Sequence, residues 1–399
     1  MKIVYLPTAA GLYLNYLVHG MGVILMSLNM QALEQQWQTD AAGVSIVISS
    51  LGIGRLSILF FSGILSDRFG RRPFVLTGMV CYVIFFFGIL CTNNIVMAYA
   101  FGFLAGMANS FLDAGTYPSL MEAFPDTPST ANILIKAFVS AGQFLLPMII
   151  SLLVWANLWF GWSFIIAAGI MLLNGLFLLR CTFPAHPGRP RSCTPSPTED
   201  KAPHCSFVDL ASYTLYGYVS MATFYLISQW LAQYGQHIAG MPYTSAIKLL
   251  SIYTCGSLLC VMITAPLVRK TVRPTTLLML YTFISFIALV TVCLYPTATV
   301  VTIFAFVIGF SSAGGVVQIG LTLMAARFTH AKGKATGIYY SAGSIATFTI
   351  PLITAHLSER SIADIMWFDT AIAALGFLLA LFLGYRSYAE EKRRPMLTL

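Results

Sequence analysis

The chain has little charge. Lys, Arg, Asp and Glu together make up 9% of its 399 residues, against 58% hydrophobic residues and a mean hydropathy of +0.80. Soluble domains carry roughly 25% charged residues, so a soluble globular body is excluded. The apolar runs do not alternate with polar positions over about ten residues, as membrane strands do. They are continuous and rich in Leu, Met and Ala, which points to helices. The eight cysteines include no Cys-x-x-Cys pair. Cys193 and Cys205, beside His186 and His204, match no zinc spacing, so no metal site is expected. No phosphate-binding loop, nucleophile elbow or metal-ligand cluster occurs. Neither an enzyme nor a cofactor is therefore expected. Active transport by such a chain would have to draw on an ion gradient.

What is present is a series of runs long enough to cross a bilayer. A core of about 30 Å needs about 20 apolar helical residues. Twelve runs meet this: 8–30, 44–65, 73–92, 96–118, 131–154, 160–180, 209–232, 246–267, 275–295, 299–323, 334–356 and 364–384. The first reads as a retained helix rather than a cleaved signal. Of the 22 Lys and Arg, 18 fall at the N-terminus or in segments that follow even-numbered spans. The positive-inside rule then places both termini in the cytoplasm. The same bias accounts for the net charge of +8 without a nucleic-acid partner. Trp37, Trp155, Trp159 and Trp162 fall near the opposite interface, where an aromatic belt is expected.

Residues 181–208 are rich in Pro and charge and read as a cytoplasmic linker. They divide the chain into an N-terminal six-helix bundle, 1–180, and a C-terminal one, 209–399. Arg72-Pro73 recurs as Arg273-Pro274, and Ser140-Ala141-Gly142 as Ser341-Ala342-Gly343, both 201 residues later. A shared offset is the mark of parallel repeats about an axis along the membrane normal.

Polar residues inside the spans are the candidate site, because an intramembrane charge costs about 2.5–3.5 kcal/mol and needs a partner. Arg55 in span 2 and Asp113 in span 4 lie at compatible depths and can pair if those spans adjoin. The bland reading is an ion pair that only orients two helices. The functional one gives Asp113 a proton to take and release, while Arg55 holds either Asp113 or a substrate anion. Asn109 lies one turn from Asp113. Asn15 and His19 share a face of span 1, and His19 is a possible proton carrier. Gln143 and Gln318 could line a cavity in spans 5 and 10. Gly102 and Gly106 read as close helix packing, and Pro147 and Pro351 as kinks.

The most specific stretch lies between spans 2 and 3. Gly63-x-Leu65-Ser66-Asp67-Arg68-x-Gly70-Arg71-Arg72 resembles, position for position, the loop 2–3 motif of the major facilitator superfamily. The chain is similar to uncharacterised enterobacterial-type inner-membrane members. The resemblance implies an all-α membrane protein of twelve transmembrane helices in two pseudo-symmetric six-helix bundles. It also implies alternating access, with spans 1, 4, 7 and 10 on the cavity and 2, 5, 8 and 11 between the halves. Gly63 would then permit close packing and Gly70 the turn, while Asp67, Arg68, Arg71 and Arg72 with Glu122 form a cytoplasmic latch. Span 5 lacks the Gly-Pro pattern of family drug/proton antiporters, and span 4 lacks the early arginine of many proton-coupled members. The expected function is a monomeric, proton-coupled transporter of a small polar solute, such as a carboxylate, in the bacterial inner membrane. A multidrug or metabolite exporter is the alternative, followed by a membrane sensor that does not transport.

Overall fold

The computed structural model describes residues 3–124, 128–184, 207–270, 273–313, 316–328 and 332–393. Most of the expected linker lies outside this set. The described residues are helical almost throughout and contain no strand. The helices are α1 (Leu6–Leu28), α2 (Met30–Trp37), α3 (Ala41–Phe69), α4 (Arg71–Cys91), α5 (Ile95–Ala123), α6 (Pro128–Trp155) and α7 (Trp162–Leu178). After the linker come α8 (Phe207–His237), α9 (Tyr243–Lys270), α10 (Pro274–Leu294), α11 (Ala298–Ile308), α12 (Val316–Arg327), α13 (Lys332–Ser358) and α14 (Ile362–Arg393). A π-helical turn, Gly309–Ala313, follows α11.

Nine described helices are long and apolar enough to cross a bilayer, and α7 and Ala298–Ala313 are shorter apolar helices. The twelve runs read from sequence fall on α1, α3 to α10, the broken α11–α12 segment, α13 and α14. Local chemistry sets several boundaries. Asp40 accepts a hydrogen bond from the Gly43 N–H and starts α3, while Asn94 caps α5 through Val96. Gly70, at φ +92°, makes the sharp turn from α3 into α4.

Helix ends identify two faces. Thr8 donates to the Thr182 carbonyl and Arg72 to that of Leu179, while Asp209 on α8 pairs with Arg386 on α14. These contacts gather the first and last helices on one side, the termini face. On the opposite face Gln36 and Trp37 donate to the Thr92 carbonyl. Trp155, Trp159 and Trp162 are exposed there as an aromatic belt would be, but Trp37 is buried. Its indole N–H is spent on Thr92, so it is a packing residue and not a belt residue.

The internal repeat becomes physical in helix packing. A Cβ on Gly54 would lie 2.0 Å from the Phe103 carbonyl oxygen, and one on Gly106 2.1 Å from that of Leu51. In the second bundle a Cβ on Gly256 would lie 2.2 Å from the Phe306 oxygen, and one on Gly309 1.9 Å from that of Tyr253. Gly54 and Gly256 are 202 residues apart, and Gly106 and Gly309 are 203 apart. Each bundle thus brings its second and fourth spans into backbone contact at equivalent glycines, where no larger residue fits.

The bundles meet through α3 against α13 and α6 against α9. These are spans 2, 11, 5 and 8, as the resemblance implies. Ser45 donates to the Pro351 carbonyl at 2.8 Å, Ser251 to that of Phe144 at 2.9 Å and Tyr243 to that of Leu28 at 2.7 Å. These bonds lie towards the face opposite the termini and seal the bundles together there.

Candidate functional site

The close approach of α3 and α5 at Gly54 and Gly106 sets the depth at which their polar residues meet. Ser110 donates to the Arg55 carbonyl at 2.8 Å, a further tie between these helices. One turn later Arg55 Nη2 meets Asp113 Oδ2 at 3.0 Å. The other carboxylate oxygen, Oδ1, accepts the Tyr16 hydroxyl of α1 at 2.6 Å. Each oxygen of Asp113 therefore has its own donor. Arg55 Nε is buried and has no hydrogen-bond partner, so the guanidinium keeps one donor uncommitted. The Arg55 and Asp113 side chains retain 21% and 16% exposure. They face accessible space and not a sealed core.

Rings surround the pair. Tyr16 stands edge-on to Tyr117 and to His19, with centroids 5.9 and 5.8 Å apart. His19 Nδ1 lies 2.5 Å from the Tyr82 hydroxyl. Tyr340 from α13 and Tyr225 from α8 lie within electrostatic reach of Arg55, so the other bundle contributes to the same site. Lys136 of α6 reaches across to place its ammonium 4.8 Å from the Phe224 ring centroid on α8. Among the described residues no acid pairs with it. His19 lies within electrostatic reach of both Arg55 and Lys136, so this neighbourhood holds two cations and one carboxylate within a rim of phenols that can donate or accept.

The structure brings Arg55, Asp113 and His19 into one neighbourhood. Asn109 is half-buried one turn from Asp113. Asn15 is turned away, because its amide oxygen accepts from Asn174 on α7 at 2.7 Å. Gln143 is buried on α6 and joins none of these hydrogen bonds. The side chain of Gln318 lies outside the described set. Tyr16, Tyr82, Tyr117 and Lys136 are site residues that the sequence reading missed. Lys136 carries a usable signal, a cation inside an apolar run. The tyrosines carry none, since phenols are common in membrane helices.

At the termini face Arg71 bonds Glu122 Oε1 through Nη2 at 3.2 Å and Ser66 through Nη1 at 3.1 Å. Arg68 lies over the Phe69 ring. The Asp67 side chain lies outside the described residues. A Cβ on Gly63 would meet nothing within 4 Å, so Gly63 provides no close packing here, contrary to expectation. In the second bundle Asp209, 3% exposed, is held by Arg327 at 2.9 Å and Arg386 at 2.7 Å. This cluster, unread in the sequence, ties α8, α12 and α14 as Arg71 and Glu122 tie α4 and α5.

Comparison with known proteins agrees with this architecture. A family model described as Major Facilitator Superfamily matches residues 12–351. The chain is 80% identical to the inner membrane transport protein YdiM of Escherichia coli K12 over 99% of its length and 98% of that protein's. It is 38% identical to the inner membrane transport protein YdiN of the same organism, over 94% of this chain and 89% of that one. Among solved structures, a D-xylose-proton symporter superposes with a TM-score of 0.79 at 15% identity, covering 95% of this chain and 97% of the other.

Proposed function

The chain belongs to the major facilitator superfamily, and from that premise we propose that it moves a small polar organic anion, coupled to protons, by alternating access in the bacterial inner membrane. The observation that carries the choice of cargo is the charge of the central site. Arg55 and Lys136 outnumber Asp113, and Arg55 Nε has no acceptor. A carboxylate cargo supplies that acceptor and the missing negative charge, and guanidinium forks bind carboxylates well. Phenols around it suit a solute that is polar at one end and apolar at the other.

Coupling follows from competition. Arg55 and Tyr16 hold both oxygens of Asp113. An anion that engages Arg55 weakens that hold, and Asp113 becomes able to take a proton. A protein of the same fold is named a D-xylose-proton symporter. In this reading residues 1–180 and 209–399 rock about the site, joined by 181–208. Both termini are cytoplasmic, the protein works as a monomer, and no nucleic acid takes part. Closure on the face opposite the termini corresponds to a state open to the cytoplasm. Arg71, Glu122 and the rest of residues 63–72 latch the termini face shut in the other half of the cycle.

The test is solute-driven proton movement in proteoliposomes, after a thermal-shift screen of small carboxylates. A carboxylate is expected to stabilise the protein and to acidify or alkalise the lumen as it crosses. Asp113→Asn is expected to flatten the pH dependence of transport. Hits confined to lipophilic cations would replace this reading with drug export. An unchanged pH profile in Asp113→Asn would remove the coupling assignment.

A further inference from the structure

The C-terminal bundle holds a small, partly open cavity that none of the site residues above lines. Its walls come from α8, α10, α14 and the π-helical turn, and its volume is about 30 Å³. That is room for one or two water-sized occupants. Seven of the eleven wall residues carry hydroxyls, while the surface open to the cavity is mostly apolar. Thr282 donates to the Leu278 carbonyl, Ser311 to that of Val307 and Ser312 to that of Ile308, each at 2.8 Å. Ser220 donates to the Gly217 carbonyl at 3.2 Å. Their protons are thereby committed to their own helices, and what they can offer the cavity is lone pairs. The π-helical turn Gly309–Ala313 supplies both Ser311 and Ser312 to the wall.

Asp369 adjoins this wall. It precedes Ala373 and Gly376, which line the cavity, by four and seven residues on α14, and so shares their face. Its side chain is completely buried, at 0% exposure, and neither carboxylate oxygen has a hydrogen-bond partner. Thr223, a wall residue, stands as the potential hydrogen-bond donor to Asp369, and Tyr253 of α9 and Cys293 of α10 are in electrostatic reach of it. Ser285 Oγ and the Tyr216 hydroxyl on the wall, and the Tyr253 hydroxyl beside Ser312, are also buried without partners. Five of the thirteen such atoms among the described residues converge on this one place.

A carboxylate withdrawn from water must be neutralised by a partner, and among the described residues no Lys or Arg pairs with Asp369. We propose that this cavity is a Na⁺ site, with Asp369 and the hydroxyl oxygens of Thr223, Ser285 and Ser312 as ligands. One carboxylate matches a monovalent ion. The hydroxyl oxygens set in this wall, beside the Asp369 carboxylate, match a hard cation. A proton on Asp369 would cancel the charge but leave the remaining acceptors empty-handed. An anion would meet the Asp369 carboxylate, a charge of its own sign. The site lies in the bundle that does not carry Arg55 and Asp113, so it stands or falls apart from the cargo assignment.

The experiment is ²²Na⁺ equilibrium binding to the purified full-length protein, with thermal unfolding in NaCl, KCl and choline chloride at equal ionic strength. Wild type is expected to bind saturably, to be competed by unlabelled Na⁺ but not by choline, and to gain thermal stability with Na⁺ by mass action. Asp369→Asn is expected to lose the binding. Ser285→Ala is expected to weaken it by about tenfold, as loss of a supporting oxygen does at metal sites. Absence of saturable ²²Na⁺ binding by folded wild type overturns the proposal, and a stabilisation seen only on acidification would mark the occupant as a proton. Binding that survives Asp369→Asn, or that is abolished by Asp113→Asn instead, also overturns it. Should Asp369→Asn fail to fold, unchanged affinity in both Ser285→Ala and Thr223→Val would have the same force.

Discussion

Each bundle buries an acid inside the membrane-spanning body, and the two are treated in opposite ways. Asp113 sits at a glycine-mediated crossing of α3 and α5, with Arg55 on one oxygen and Tyr16 on the other. Asp369 sits among small hydroxyl side chains with no donor on either oxygen. The backbones are related by repeat, down to the paired glycines at equivalent crossings. The position equivalent to Arg55, 202 residues later, is Ser257. One scaffold therefore carries one carboxylate neutralised from within and another that needs its counter-charge from outside. Internal pairing leaves Asp113 responsive to whatever competes for Arg55. The absence of a pair leaves Asp369 responsive to a cation.

The largest expected effect comes from making the first acid resemble the second. Arg55→Ala strands Asp113; breaking a fully buried pair costs about 3 kcal/mol or more, and the partial exposure of both side chains brings the expected cost below that. The expectation is a clear fall in unfolding midpoint in detergent, with much of it regained in Arg55→Ala/Asp113→Asn. A single variant as stable as wild type would show that Asp113 does not depend on the pair. Next in size is Tyr16→Phe. It removes a 2.6 Å bond to a carboxylate, worth about 1.5–3 kcal/mol, and is expected to shift the pH profile of transport more than its rate at saturation. A profile identical to wild type would take Tyr16 out of the coupling. The smallest effect is expected for Asp369→Asn in Na⁺-free buffer. Without Na⁺ the buried carboxyl must be neutralised by a proton, and a near-isosteric amide in place of that neutral acid should change stability by less than about 1 kcal/mol. A large loss there would show an internal partner for Asp369.

Arg55 and Asp113 stand out in the sequence by their depth in apolar runs alone, and the structure pairs them. Asp369 and Lys136 lie within apolar runs of the same kind, so the same signal reaches them when it is applied evenly. Tyr16 and Tyr117 stay out of its reach, because nothing in a tyrosine's position along a helix says which neighbour its hydroxyl meets. Asn15 shares a helix face with His19, yet it bonds Asn174 on α7 and not the central site. Trp37 departs from expectation for a related reason. Its interface depth is legible in the sequence, whereas its burial against the Thr92 carbonyl depends on how α2 folds back on α4.

The sequence by itself determined that the chain lives in a bilayer, that it is helical, that it is built twice and that it carries the superfamily's loop motif. Hydrophobic run length, charge placement and residue spacing are properties of one dimension, and the bilayer reads them directly. Tertiary structure decided which polar groups share a site. Hydrogen bonds and ion pairs depend on ångström distances between helices far apart in the chain. Those distances are set by glycines at helix crossings and by a π-helical turn whose effect appears only when neighbouring helices are in place.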